Sequence, residues 1–210
     1  MHNTFNRSIK PAHLLALPFF LLILCASATL AEPQEQTSKR TFDTMVKALT
    51  PDAIIPYKTV NNRDLTLHLF KPKGWSADDK RPAHVVIHGG GWRNFSADRF
   101  YPYANSLVSE GYVGISVEYR LASRNQKQDN PTTVFDCVKD ARAAVRYIRK
   151  HADELGIDPT RIAVGGGSAG AHLALSTALF DEIDHDDEDT KISCRPDALI
   201  LYFAVLDTSK

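Results

Sequence analysis

Two apolar periods divide this chain into strands and helices. Leu65, Leu67 and Leu69 alternate with Thr66 and His68, a period of two that predicts a strand. Tyr57 to Val60 precedes it across Asn61-Asn62-Arg63-Asp64, and the two runs predict a hairpin. Shorter, mostly apolar runs follow at 83–87, 112–119, 161–165 and 198–203, each predicted as a buried strand. Ser96-Ala97-Asp98 is suited to cap a helix over 99–109, ended by Gly111. Val134, Val138, Ala141, Val145 and Ile148 recur at helical spacing, so the longest helix is expected within 132–155, ended by Gly156. A further helix is expected over 169–180. Pro51 to Pro56, Lys71 to Pro82 and Leu121 to Pro131 read as connecting loops. Strands alternating with helices of crossover length predict an α/β fold, a mostly parallel sheet with helices on both faces.

Residues 1–31 break this pattern. Arg7 and Lys10 precede an apolar run from Leu14 to Leu24 that only Pro18 interrupts, and Ala26-Ser27-Ala28 and Thr29-Leu30-Ala31 offer small-residue cleavage sites. This is the layout of a secretory signal peptide. The run is short for a membrane span, and Leu24 is bulky where a lipoprotein signal at Cys25 needs a small residue. A secreted or periplasmic protein with no stable membrane anchor is expected. Residues 32–56 read as a tether and cap that becomes helical near Phe42, Val46 and Leu49, and 57–210 as the folded domain.

Charge removes one class of partner. The chain carries 25 basic and 25 acidic residues, without the basic footprint of a nucleic-acid binder. Beyond the leader stand Cys137 and Cys194; Cys137 lies in an apolar helical run, and buried free thiols are expected in preference to a disulfide. Neither cysteine has the spacing partners of a metal site. Residues 181–189 hold seven acids and His185 but no central glycine for a calcium loop, so they are expected as a solvated loop. No metal and no cofactor is expected.

The chemistry lies on strand ends. Gly166-Gly167-Ser168-Ala169-Gly170 follows the apolar run at 161–165 and leads into a helical pattern, the layout of a nucleophile elbow. The turn is strained and needs small residues beside the serine. Ser168 is the candidate nucleophile; a phosphate loop would need a lysine before the serine, and none stands there. His88-Gly89-Gly90-Gly91-Trp92 follows the strand at 83–87 and fits a backbone oxyanion loop. With the N–H of Ala169, its glycines could hold the oxygen of a tetrahedral intermediate. His88 precedes the serine, which suits a structural role: bonding backbone and fixing the glycines. His172, one helical turn past Ser168, is expected to pack under the elbow. Asp207 follows the last predicted strand as a candidate acid, although no histidine follows it.

These segments, with Glu118-Tyr119-Arg120-Leu121 and Gly156-Ile157-Asp158-Pro159, resemble the hormone-sensitive-lipase-type and related bacterial acetyl/feruloyl esterases of the α/β-hydrolase superfamily. The likeness runs from about Tyr57 to Asp207. It implies a serine carboxylesterase acting on short acyl esters, acetylated or feruloylated polysaccharides among them, with Ser168 as nucleophile and Gly90, Gly91 and Ala169 as oxyanion donors. In that family the triad acid and histidine come on later strands than those present here. The resemblance therefore implies a domain incomplete at its C-terminus and a nearly inactive chain. The rival reading is a non-catalytic binding module on the same fold.

Overall fold

The computed structural model describes residues 32–206; the predicted signal peptide and Asp207 lie outside them. The chain divides into units 1–42 and 43–210. Helix α1 (Glu32–Ala48) begins in the first unit and ends in the second, and it is helical from Glu32 on.

The sheet grows from a hairpin. β1 (Ala53–Val60) and β2 (Arg63–Phe70) pair antiparallel, with Val60 opposite Arg63. The turn is only Asn61-Asn62, at φ 51° and 59°, the left-handed pair that a two-residue hairpin requires and asparagine tolerates. β1 begins inside the segment expected as a connector. It accommodates Pro56 because the register shifts there, between Pro56 and Lys58, on the outer strand of the sheet.

β3 (Arg81–Ile87), β4 (Val113–Val117), β5 (Ile157–Gly167) and β6 (Ala198–Tyr202) complete a six-stranded sheet in the order β1-β2-β4-β3-β5-β6. β2 runs antiparallel to β4, and the β4-β3-β5-β6 pairs are all parallel. The two faces bury different sets. Leu65, Leu67, Val85, Ile87, Ile115, Ile162 and Val164 join one core with the helices α3 (Val134–Lys150) and α4 (Ala169–Leu179). Val86 and Phe70 pack on the other face with Phe100, Tyr101 and Ala104. Each fully buried aliphatic side chain contributes about 1.5–3 kcal/mol against solvent exposure.

α3 starts at a capping box: Thr133 accepts from the Asp136 N–H while Asp136 accepts from the Thr133 N–H. Its regular turns stop at Lys150, short of the expected Leu155. The helix predicted over 99–109 is broken into a 3-10 turn at 97–100, α2 (Tyr101–Asn105) and a second 3-10 turn at 108–110. Ser106 gives the reason, since its hydroxyl and its N–H both bond the Tyr103 carbonyl, at 2.7 and 3.2 Å. Gly111, at φ 89°, does end the segment.

Two expectations fail on long-range grounds. β6 is not buried: Ala198, Leu199 and Leu201 are exposed, because β6 is the outer strand of the sheet among the described residues. The acidic segment is not simply solvated. Asp184 takes Arg142 at 2.7 Å and Arg146 at 2.5 Å, and Glu188 takes Lys58 at 2.7 Å. Burial alone would push the Asp184 carboxyl up, but the hydrogen bonds from both arginines outweigh it and hold it at about 2. Cys137 and Cys194 are both buried free thiols, as expected, and burial pushes the Cys137 thiol up to about 12.

Candidate active site

β5 ends in glycines, and the chain turns into α4 at Ser168. Ser168 sits at φ 53°, ψ −120°, a conformation that costs an L-residue about 1–3 kcal/mol and persists only when its surroundings enforce it. Two glycines enforce it. A Cβ on Gly166 would stand 2.5 Å from the Gly170 carbonyl oxygen and 2.6 Å from that of Ile87, and one on Gly170 would collide with the Ile87 carbonyl. The backbones of β3, β5 and α4 therefore touch directly. The Ser168 N–H donates to Tyr202 on β6 at 3.1 Å, and its carbonyl accepts the His172 N–H at 3.2 Å. The hydroxyl makes no cap bond. It stands half-buried at the positive end of an 11-residue helix, where the first N–H groups, that of Ala169 included, lack intrahelical acceptors.

The glycine loop lies against this turn. A Cβ on Gly89 would come 2.7 Å from the Gly167 carbonyl oxygen. Gly90, at φ 112°, uses its carbonyl as an anchor: it accepts the N–H groups of Arg93 and Asn94 at 3.2 and 3.1 Å and the Asn94 side-chain amide at 3.1 Å. In a trans peptide the C=O and the next N–H point in opposite directions. Fixing the Gly90 oxygen on Asn94 thus aims the Gly91 N–H the other way. Oriented N–H groups of this kind can stabilise an oxyanion.

Behind the loop, His88 is fully buried and its Nδ1–H donates to the Gly89 carbonyl at 2.8 Å. This matches the structural role expected of it. Burial lowers its pKa to about 4, so the ring is neutral. Tyr119 stacks on the ring, with centroids 4.3 Å apart, and donates its hydroxyl to the His88 carbonyl at 3.0 Å. Tyr119 stands in the Glu118-Tyr119-Arg120-Leu121 segment of the resemblance, with no role expected of it there, and Asp140 carried no expectation. The signal for Asp140 was an acid between Val138 and Ala141 on the apolar face of α3. Its carboxylate is fully buried and takes the Arg120 guanidinium at 2.8 Å.

Four other histidines are engaged elsewhere. His172 packs edge-on against Trp92 and Phe180, with centroids 5.4 and 6.0 Å away, and burial lowers its pKa. His185 lies 3.1 Å from Asp140 and 3.0 Å from Arg120, a part-buried site that replaces the solvated one expected. His68 bonds Thr66 and Tyr101, and His151 bonds Glu154. Among the described residues, no histidine ring hydrogen-bonds the Ser168 hydroxyl, and no cluster of His, Cys, Asp and Glu could hold a metal ion. The structure thus sets Gly89 against Gly167 and Ser168, and Gly170 against Ile87 and His88, while no described histidine bonds the Ser168 hydroxyl.

Known proteins resemble this chain in sequence and fold. The chain matches the family model BD-FAE over residues 67–208. Thermogutta terrifontis esterase 2, phosphoramylated by tabun, is similar with a TM-score of 0.69 and 39% identity, covering 75% of this chain and 58% of that one. The butyrate-bound form of that esterase gives a TM-score of 0.68 and 40% identity, covering 75% and 55%. Carboxylesterase NlhH of Mycobacterium tuberculosis is 31% identical over 138 residues, 61% of this chain and 40% of its own length. The chain therefore spans less than two thirds of each of these relatives.

Proposed function

Since the chain belongs to the BD-FAE family, α/β-hydrolases related to carboxylesterases, we propose that Ser168 is the nucleophile of ester hydrolysis. The observation that carries this reading is the strained conformation of Ser168, held between the end of β3 and the start of α4. In the proposed reaction the Ser168 Oγ attacks the ester carbonyl while a base takes its proton. The N–H groups of Gly90, Gly91 and Ala169 receive the negative oxygen. The alcohol leaves with a proton, and water then releases the acid from acyl-Ser168. Each oxyanion donor contributes about 3–4 kcal/mol to the transition state. Short acyl esters, including acetylated or feruloylated polysaccharides, are the proposed substrates. Removal of 1–31 on export, to the periplasm or outside the cell, would bring the protein to them.

This 210-residue chain is proposed to turn over slowly, because no described histidine reaches Ser168. Loss of a triad base costs roughly 10⁶-fold in rate. The same observation favours, as a second reading, a non-catalytic binding module on the esterase fold.

Labelling with a fluorophosphonate, followed by peptide mapping, tests both readings. Slow adduct formation confined to Ser168 and abolished in Ser168→Ala is expected. Rapid stoichiometric labelling would reveal a working base and overturn the claim of inactivity. An adduct on another residue, with Ser168 unmodified, would overturn the nucleophile.

A further inference from the structure

A pocket of about 400 Å³ opens where β1, α3 and the end of the acidic loop meet, within the range of about 300–1,000 Å³ that small-molecule sites occupy. It shares no residue with the elbow or the glycine loop. β1 lies four strands from β5 in the sheet, about 19 Å at roughly 4.8 Å per strand.

The buried cations in its wall are already matched. Lys58 has only 9% of its side chain exposed and bonds both Asp187 and Glu188, at 3.1 and 2.7 Å. Arg146, 7% exposed, is held by Asp184 and the Ile192 carbonyl. A charged group seated deep in the pocket, against Lys58 or Arg146, would have to separate one of these pairs, and a buried charge left without its partner is costly. A neutral ligand avoids that cost. Tyr147 and His151 also line the wall, their rings stacked on each other with centroids 4.3 Å apart and planes 24° from parallel. At its rim stand one ammonium and one carboxylate, on the exposed Lys150 and Asp189.

We propose that this pocket is a second, non-catalytic binding site for a short neutral saccharide. Each sugar hydroxyl donates and accepts at once, so one hydroxyl can take a hydrogen bond from an ammonium and give one to a carboxylate. The C–H face of a pyranose is apolar and can pack on the aromatic side chains that line the wall, Tyr147 foremost. Such a site would hold a carbohydrate chain to the protein at a point remote from Ser168. The inference stands whether or not Ser168 proves to be a nucleophile.

The test is an NMR titration of the full chain with xylotetraose, and separately with inorganic phosphate. Saturable shifts at Tyr147, His151 and Lys58 are expected with xylotetraose and none with phosphate. Tyr147→Ala should weaken binding about tenfold, the loss of one aromatic contact. Lys150→Ala and Asp189→Asn, both at exposed positions, should each weaken it several-fold with thermal unfolding unchanged, so a poorly folded Tyr147→Ala leaves the question decidable. Ser168→Ala should bind xylotetraose as the parent does. No saturable shift with xylotetraose, shifts centred on Ser168, or phosphate filling the pocket in its place would each overturn the proposal.

Discussion

Gly89 and Ser168 meet across the joint between β3 and β5, so closely that a Cβ on Gly89 would lie 3.4 Å from the Ser168 Cβ. The same added carbon would press on the Gly167 carbonyl at 2.7 Å, a backbone atom that cannot swing aside. Gly89→Ala should therefore move the glycine loop or the elbow, at a cost of about 1–3 kcal/mol for overpacking. Gly91 is the control. It has open space around it but stands at φ 60°, so Gly91→Ala should cost only about 1–2 kcal/mol of backbone strain. Denaturant unfolding measures both costs. Fluorophosphonate labelling of Ser168 should fall further for Gly89→Ala than unfolding alone explains, and equal labelling in the two variants would contradict this coupling.

Tyr119 supports that loop through a single hydroxyl. Tyr119→Phe keeps the stack on His88 and removes the bond to the buried His88 carbonyl. The unpaired carbonyl should cost about 1–3 kcal/mol. Amide exchange at Gly89, Gly90 and Gly91 should accelerate more than in the core strands β3 and β4. Uniform acceleration across the domain would mean that the bond adds global stability only.

The elbow and the hairpin were legible because their signals are local. Gly166 to Gly170 fixes a backbone shape within five residues, and Leu65, Leu67 and Leu69 mark one face of one strand. What escaped depended on partners far along the chain. Asp184 reads as one more solvated acid until Arg142 and Arg146 arrive from α3. The apolar run at 198–203 reads the same for a central and an outer strand, and only the strand order separates the two. The helix over 99–109 failed on one hydroxyl, that of Ser106, which competes for a helical carbonyl.

Acid should destabilise this fold through its buried histidines. His84 and His88 each titrate at about 4 in the folded chain, lowered by burial from 6.5. The unfolded chain then binds more protons than the folded one between about pH 6.5 and 4. Stability is full above that window and is lost as pH falls through it. His84 has neither ring nitrogen bonded among the described residues, so an apolar replacement removes a cost and no bond. His84→Leu should hold or raise the melting temperature at pH 7 and flatten its decline between pH 6.5 and 4. A steeper decline in the variant would show that the ring has a partner and is not merely buried.

Asp140 is the acid whose loss should hurt most. Its carboxylate has no exposed surface and accepts the Arg120 N–H, Nε–H and Nη2–H at 3.0, 2.8 and 2.8 Å, with His185 3.1 Å away. Arg120 follows Tyr119, so this pair ties the end of the oxyanion support to α3. Asp140→Asn keeps the shape but leaves a guanidinium, 15% exposed, with Asp136 at 3.7 Å as its remaining carboxylate. Breaking one side of a buried pair costs about 3–5 kcal/mol, whereas replacing both sides with apolar residues is often neutral. Asp140→Asn should therefore lower the urea midpoint far more than Asp140→Leu combined with Arg120→Met. If the double variant is the less stable, the pair holds the fold by net attraction. If it is the more stable, the pair serves to fix Tyr119 under the glycine loop, and labelling of Ser168 should drop even as the fold gains stability.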